Sequence, residues 1–178
     1  MLILVALLIF LCIALALFVF YTAMMVSIFF EAPFVPSSTK ATKTMLEAAH
    51  IIPGEVVYDL GSGDGRLVRG ASRRGANATG VERSRLLILC SRIIAFITKA
   101  PTHTFIRASF YDVDLRDADI VFTYLFPNVM EKLKTKFEKE LRPGARVVSY
   151  AFKVPGWTAQ SRIKFSPKSP AVYVYVKK

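Results

Sequence analysis

The residues whose types and spacing most directly imply chemistry are Asp59-Leu60-Gly61-Ser62-Gly63-Asp64-Gly65-Arg66. They follow the apolar run Val56-Val57-Tyr58 and precede a helix-like stretch, so a strand passes into a helix through a loop with glycine at every second position. Glycine is needed where the backbone turns with positive φ, or approaches a ligand with no Cβ in between. A dinucleotide fingerprint has its third glycine three residues after the second, where this chain has Arg66; a Walker loop ends in Gly-Lys-Ser/Thr, which is absent. Asp-x-Gly-x-Gly-x-Gly instead suits a nucleoside without a pyrophosphate. Glu82 follows Asp59 by 23 residues and closes the next strand-like run, Gly80-Val81-Glu82. At the end of a neighbouring strand, a carboxylate is placed to accept hydrogen bonds from both hydroxyls of a ribose. The alternative is a tight turn beside an exposed glutamate. Strand, loop, helix, strand and acid in that order favour a cofactor site made of Asp59, Leu60, Gly61, Ser62, Gly63, Gly65 and Glu82.

The elements that must position these groups alternate along the chain. Strand-like runs occupy residues 56–60, 78–82, 104–108, 120–125, 146–152, 162–165 and 172–176, and helix-like stretches occupy 42–50, 66–74, 85–99 and 129–141. Pro53-Gly54 and Pro143-Gly144 are stop signals. This predicts an α/β, Rossmann-like, mostly parallel seven-stranded sheet with crossover helices. The last two runs, joined through Pro167 and Pro170, read as a terminal antiparallel hairpin.

Residues 1–30 contain no Asp, Glu, Lys, Arg or His. A spanning helix needs roughly 20 such residues, so one N-terminal transmembrane helix is expected to precede the domain. A cleaved signal peptide would show a basic n-region and a small-residue cleavage site, which are not evident. Tyr21, Phe29 and Phe30 are candidate interfacial anchors. Residues 31–37, with Pro33 and Pro36, form a connector, and 38–178 form the domain. Lys40 and Lys43 are the first positive side chains, which orients the domain to the cytosol. The formal charge is +11, and a basic domain held at an anionic leaflet gains about 1 kcal/mol per well-placed Lys or Arg. Membrane apposition therefore accounts for the charge without nucleic acid. Two cysteines exclude a disulfide framework, and with two histidines no metal site is expected.

In loop and acid the sequence resembles the class I S-adenosylmethionine-dependent methyltransferases, which implies that these groups hold the methionine portion and ribose of S-adenosylmethionine. Four segments narrow the likeness: Pro33-Phe34-Val35-Pro36-Ser37, Asp59 to Arg66, Tyr124-Leu125-Phe126-Pro127, and Leu141 to Ser149 before Phe152 and Trp157. Together they resemble a family of small membrane-anchored lysine methyltransferases whose eukaryotic members modify the adenine nucleotide translocase and the c subunit of ATP synthase. The resemblance implies a protein lysine as acceptor, with a membrane-embedded protein as partner, and puts Pro36 and Ser37 on the substrate side. Many class I enzymes place an acid or amide after the third strand for the adenine amino group. Here Arg107-Ala108-Ser109-Phe110 stands there, so Ser109 and Phe110 are the adenine candidates.

Methyl transfer from a sulfonium is an in-line displacement, so the protein mainly aligns two reactants and excludes water. A lysine must lose its proton first, and an aromatic-walled slot favours the neutral amine. Tyr124, Phe126 and Pro127, at the carboxyl end of the fourth strand, are the candidates for that slot. Nucleic-acid amino methyltransferases often carry Asn or Asp followed by two prolines and an aromatic here; this chain does not, which argues against base methylation. Asp112, Asp114, Asp117 and Asp119 read as caps and solvated surface rather than as a general base. The domain has no insertion from which to build a lid, which suits a macromolecular acceptor. The alternatives are a lipid headgroup or RNA as acceptor, or a tethered cofactor-binding protein without turnover.

Overall fold

Short apolar strands separated by helices bury their edges best by pairing in parallel, and the computed structural model shows that pairing. It describes residues 2–28 and 36–178. The chain divides into an N-terminal unit ending at Val35 and a unit from Pro36 to Lys178. The described residues of the first form helix α1 (Leu2–Ile28), whose 27 residues extend about 40 Å at 1.5 Å per residue. Its Val5–Thr22 stretch is long and apolar enough to cross a bilayer. Phe29, Phe30 and the connector through Val35, with Pro33, lie outside the described residues.

The second unit runs α2 (Thr39–Ala48), β1 (Val56–Leu60), α3 (Arg66–Ser72), β2 (Asn77–Glu82), α4 (Arg85–Ile97), β3 (His103–Arg107), β4 (Ile120–Thr123), α5 (Pro127–Glu140), β5 (Arg146–Tyr150), β6 (Ser161–Ile163) and β7 (Val172–Val176). The seven strands form one sheet in the order β3-β2-β1-β4-β5-β7-β6. The first five are parallel, and β7 inserts antiparallel between β5 and β6. The sheet is thus the expected mostly parallel one, with the terminal pair docked by its second strand. The chain order reverses between β1 and β4, so their carboxyl ends flank the crevice where open α/β sheets hold ligands.

The helices begin where capping chemistry starts them. Ser38 Oγ accepts the Ala41 N–H at 3.1 Å and Ser84 Oγ accepts the Leu87 N–H at 3.3 Å, opening α2 and α4. Pro127 occupies the first turn of α5, where its missing N–H is no loss. That proline keeps Phe126 extended and ends β4 at Thr123, before Tyr124 and Leu125. One sheet face, with Val57, Ala78, Phe105, Ile120, Phe122 and Val148, packs against α2, α3 and α4. On the other, α5 buries Val129, Met130, Leu133 and Phe137. Phe137 meets Trp157, and Trp157 meets Tyr175, so Trp157 packs as an anchor. Asp119 is a structural clasp rather than free surface: its Oδ2 accepts the Val56 N–H at 2.9 Å and its Oδ1 faces the Arg142 guanidinium at 2.8 Å.

Candidate functional site

The strand registers assemble the site. Leu60 lies beside Val81 on one side and Thr123 on the other; Glu82 lies beside Arg107, and Thr123 beside Ser149. Glu82, the glycine loop, Tyr124 and Tyr150 therefore follow one another along one sheet edge. Gly61, Gly63 and Gly65 have φ of 79°, 54° and 75°, the left-handed region that explains three alternate glycines. A Cβ on Gly65 would sit 2.6 Å from the Phe105 ring, and one on Gly61 would be 3.3 Å from Leu125 Cδ2. The loop is held from the next strand: the Gly61 and Ser62 N–H groups donate to Val81 O at 2.9 and 3.0 Å.

Both Glu82 carboxylate oxygens face backbone. Oε2 accepts the Gly63 N–H at 3.1 Å and Oε1 accepts the Ser84 N–H at 2.9 Å. Each oxygen retains a lone pair, so the acid clamps the loop and still has acceptor capacity for a pair of hydroxyls. Asp59 is buried, and desolvation, with Glu82 and Asp64 nearby, pushes its carboxyl up from 3.8 to about 8. Burial by itself raises Asp64, but the Arg66 guanidinium, which bonds both its oxygens and also donates to Ser37 O, brings it below its ordinary value. That contact ties Ser37, with exposed Pro36 before it, to the start of α3. Ser62 Oγ and Thr123 Oγ1 are buried polar atoms with no partner among the described residues, one in the loop and one at the end of β4. Ser62 belongs to the glycine loop that the sequence singles out, whereas Thr123 does not stand out there, since a lone hydroxyl at a strand end gives no pattern.

Two expected outcomes follow from this packing. The folded protein holds the Asp59 proton between about pH 4 and 8, where an unfolded chain releases it, so stability falls as pH rises through that window. Asp59→Asn, which does not titrate, should therefore melt higher than the parent, with a gain that grows toward pH 8 and then levels off; melting curves at several pH values check this. Gly80→Ala would place a Cβ 2.7 Å from Ser62 Oγ and 2.8 Å from Phe105, and should destabilise by about 1–3 kcal/mol in denaturant titrations.

Beyond the loop the edge is aromatic. The Tyr124 ring lies 4.8 Å from Tyr150 and 6.2 Å from Phe152, stacked on the latter, and Phe126 lies 5.6 Å from Phe152. Phe152 is brought there by an unusual turn: Ala151 has φ of 66°, and the Phe152 N–H donates to Tyr150 O at 2.8 Å. Such a tight turn with positive φ at a non-glycine residue is strained, and strain of this kind clusters at functional sites. Tyr150 and Phe152 were not among the sequence candidates, because a reversal after a strand has no signature when alanine makes it. Ser109 Oγ accepts the Tyr111 N–H at 3.3 Å, and Phe110 is buried with its ring 4.7 Å from Tyr111, so both are engaged in the turn after β3.

Comparison with known proteins agrees with this geometry. Residues 59–161 match the family described as the ANTKMT methyltransferase domain. A protein-lysine N-methyltransferase of Saccharolobus islandicus is 38% identical over 153 residues, covering 82% of this chain and 94% of that protein. An adenine nucleotide translocase lysine N-methyltransferase of Mus musculus is 36% identical over 129 residues, covering 71% of this chain and 56% of its own length. The chain thus spans nearly all of the archaeal relative and little over half of the mouse one. Among solved structures, an RNA methyltransferase of Salinibacter ruber in complex with S-adenosyl-L-homocysteine superposes with a TM-score of 0.75 at 32% identity, covering 80% of this chain and 93% of that one.

Proposed function

The chain belongs to the ANTKMT methyltransferase family, and on that premise we propose that it transfers the methyl group of S-adenosylmethionine to a lysine side chain of a protein held at a membrane. The observation that carries the acceptor side is the aromatic group of Tyr124, Phe126 and Phe152, one strand along from the glycine loop. The likeness to a protein-lysine N-methyltransferase over 94% of that protein's length supports the same reading.

The residues fit the cofactor. Three positive-φ glycines expose backbone where a ligand must come close, Glu82 retains acceptor capacity for two ribose hydroxyls, and Asp59 supplies a buried carboxyl that gives up its proton when a cationic group is placed beside it. When bound, S-adenosylmethionine supplies an electrophilic methyl group on its sulfonium. The chain's own part is alignment. Tyr124, Phe126 and Phe152 wall a slot that strips water from a primary amine, lowers its pKa and directs its lone pair toward the loop. Pro127 fixes the slot by starting α5 directly behind Phe126. Ser37, tied to Arg66, puts Pro36 and Ser37 where the acceptor protein arrives, and Ser109 and Phe110 stand after β3 on the adenine side.

Anchoring is the second part of the reading. α1 spans the bilayer once, and the domain from Ser38 onward lies on the cytosolic side with Lys40 and Lys43 next to the membrane. The +11 charge holds the domain against an anionic leaflet, where lysines of embedded proteins emerge. An RNA acceptor is the competing reading, favoured by what the Salinibacter ruber neighbour acts on.

Cells with and without the gene test both parts. Membrane proteins should lose methyl-lysine at one or a few positions when the gene is deleted, and the chain itself should stay in the pellet after alkaline carbonate extraction. An unchanged methyl-lysine inventory would remove the lysine acceptor, and a chain released by carbonate would remove the anchor.

A further inference from the structure

α4 buries a narrow face of Ile88, Ser91 and Ala95 against β2 and β3. Its other side carries Leu86, Leu89, Ile93, Phe96 and Ile97, which recur at three- and four-residue spacing and so form one stripe. Phe96 is 85% exposed, Ile97 70% and Leu86 68%. A continuous apolar stripe of this size on a surface marks an interaction site.

The charge around it selects the partner. From Arg83 to Tyr111 the chain has no Asp or Glu, while Arg83, Arg85, Arg92, Lys99 and Arg107 fall in the same segment. Arg92 donates to Phe105 O at 3.0 Å and Arg107 to Arg83 O at 3.3 Å, backbone carbonyls that leave the positive charge uncancelled. Arg73, at the end of α3, donates to Thr98 O at 3.2 Å and adds a further cation at the helix's C-terminal end. An apolar stripe rimmed by cations complements an anionic bilayer surface: acyl chains receive Leu, Ile and Phe, and lipid phosphates receive Arg and Lys.

We propose that α4 lies in the headgroup region of an anionic bilayer, as an interfacial contact of the domain separate from α1. This rests on the reading of the chain as membrane-held. α4 begins three residues after Glu82, so its N-terminal end is at the sheet edge that carries the glycine loop. A helix lying flat there sets that edge close to the lipid surface and restricts acceptors to lysines at the same depth.

The test uses the full chain with Cys12→Ser and Cys90→Ser, and a single cysteine introduced by Phe96→Cys or, as a control on the exposed side of α5, by Thr135→Cys. Each is labelled with an environment-sensitive nitrobenzoxadiazole and reconstituted in phosphatidylcholine vesicles containing about one third phosphatidylglycerol. Lipid carrying a nitroxide at a shallow acyl carbon should quench the label at 96 at least about twofold more than the label at 135, since interfacial helices sink about 5–10 Å. That excess should shrink when phosphatidylglycerol is left out. A chain that floats with the vesicles but shows equal quenching at both sites overturns the α4 contact and spares the anchor. A label at 96 that is blue-shifted yet insensitive to the nitroxide lipid also overturns it, since a protein surface, a second copy or α1, then covers the stripe. A chain that does not float overturns the α4 contact and the membrane reading together.

Discussion

Glu82→Ala should bind S-adenosylmethionine about 10- to 150-fold more weakly than the parent chain, the loss expected for charge-assisted hydrogen bonds worth roughly 1.5–3 kcal/mol. The carboxylate has two tasks. Each oxygen accepts one backbone N–H, from Gly63 and from Ser84, and each offers its remaining lone pair to a ribose hydroxyl. Alanine removes the ribose partner and leaves two loop N–H groups without theirs. Glu82→Gln should not rescue: its amide has one oxygen, so its NH₂ must point at the Gly63 or the Ser84 N–H, donor against donor. Gly63→Val should be worse than either, because a β-branched residue has no easy access to φ of 54°. Calorimetry on the detergent-solubilised full chain decides. Parent-like affinity in Glu82→Ala would mean that the acid at the end of β2 holds the loop and nothing else.

Substitutions in the aromatic group should separate chemistry from cofactor binding. Tyr124→Ala and Phe152→Ala are expected to lower turnover about 100-fold by letting the amine drift from its line of attack, while cofactor affinity stays within about twofold. Tyr124→Phe keeps the ring and should keep most of the activity, since the ring, stacked on Phe152, is what walls the slot. Pro127→Ala should give a milder loss, by loosening the start of α5 behind Phe126. At saturating cofactor, where the Asp59 proton no longer enters, turnover should rise about tenfold per pH unit below the acceptor amine's pKa, because only the neutral amine attacks. Parallel loss of binding and turnover in Tyr124→Ala would make the group a packing feature, and a flat pH profile would remove deprotonation of the amine from the account.

The cofactor side was legible because its requirements are local. Glycine at alternate positions, a strand before them and an acid at the end of the next strand are all sequence properties, and β1 and β7 have the predicted limits. The acceptor side was legible only in part. Tyr124, Phe126 and Pro127 follow one another in sequence, but their neighbours Tyr150 and Phe152 arrive through the pairing of β4 with β5 and the turn at Ala151. The sequence also gives no sign that β7 rather than β6 docks on β5, since a hairpin pattern is the same for either strand. The sequence marks 85–99 as helix-like without saying which of its apolar residues face the core, and only the packed sheet reveals how narrow the face that α4 buries is.

The central claim is that the acceptor is a protein lysine at a membrane. The most direct measurement incubates the full chain with methyl-labelled S-adenosylmethionine and a membrane extract from cells lacking the gene, then treats the products in parallel with protease, nuclease and organic solvent. The account predicts label that only protease releases and that acid hydrolysis returns as methyl-lysine. Label released by nuclease, or partitioning into solvent with lipid, would contradict it.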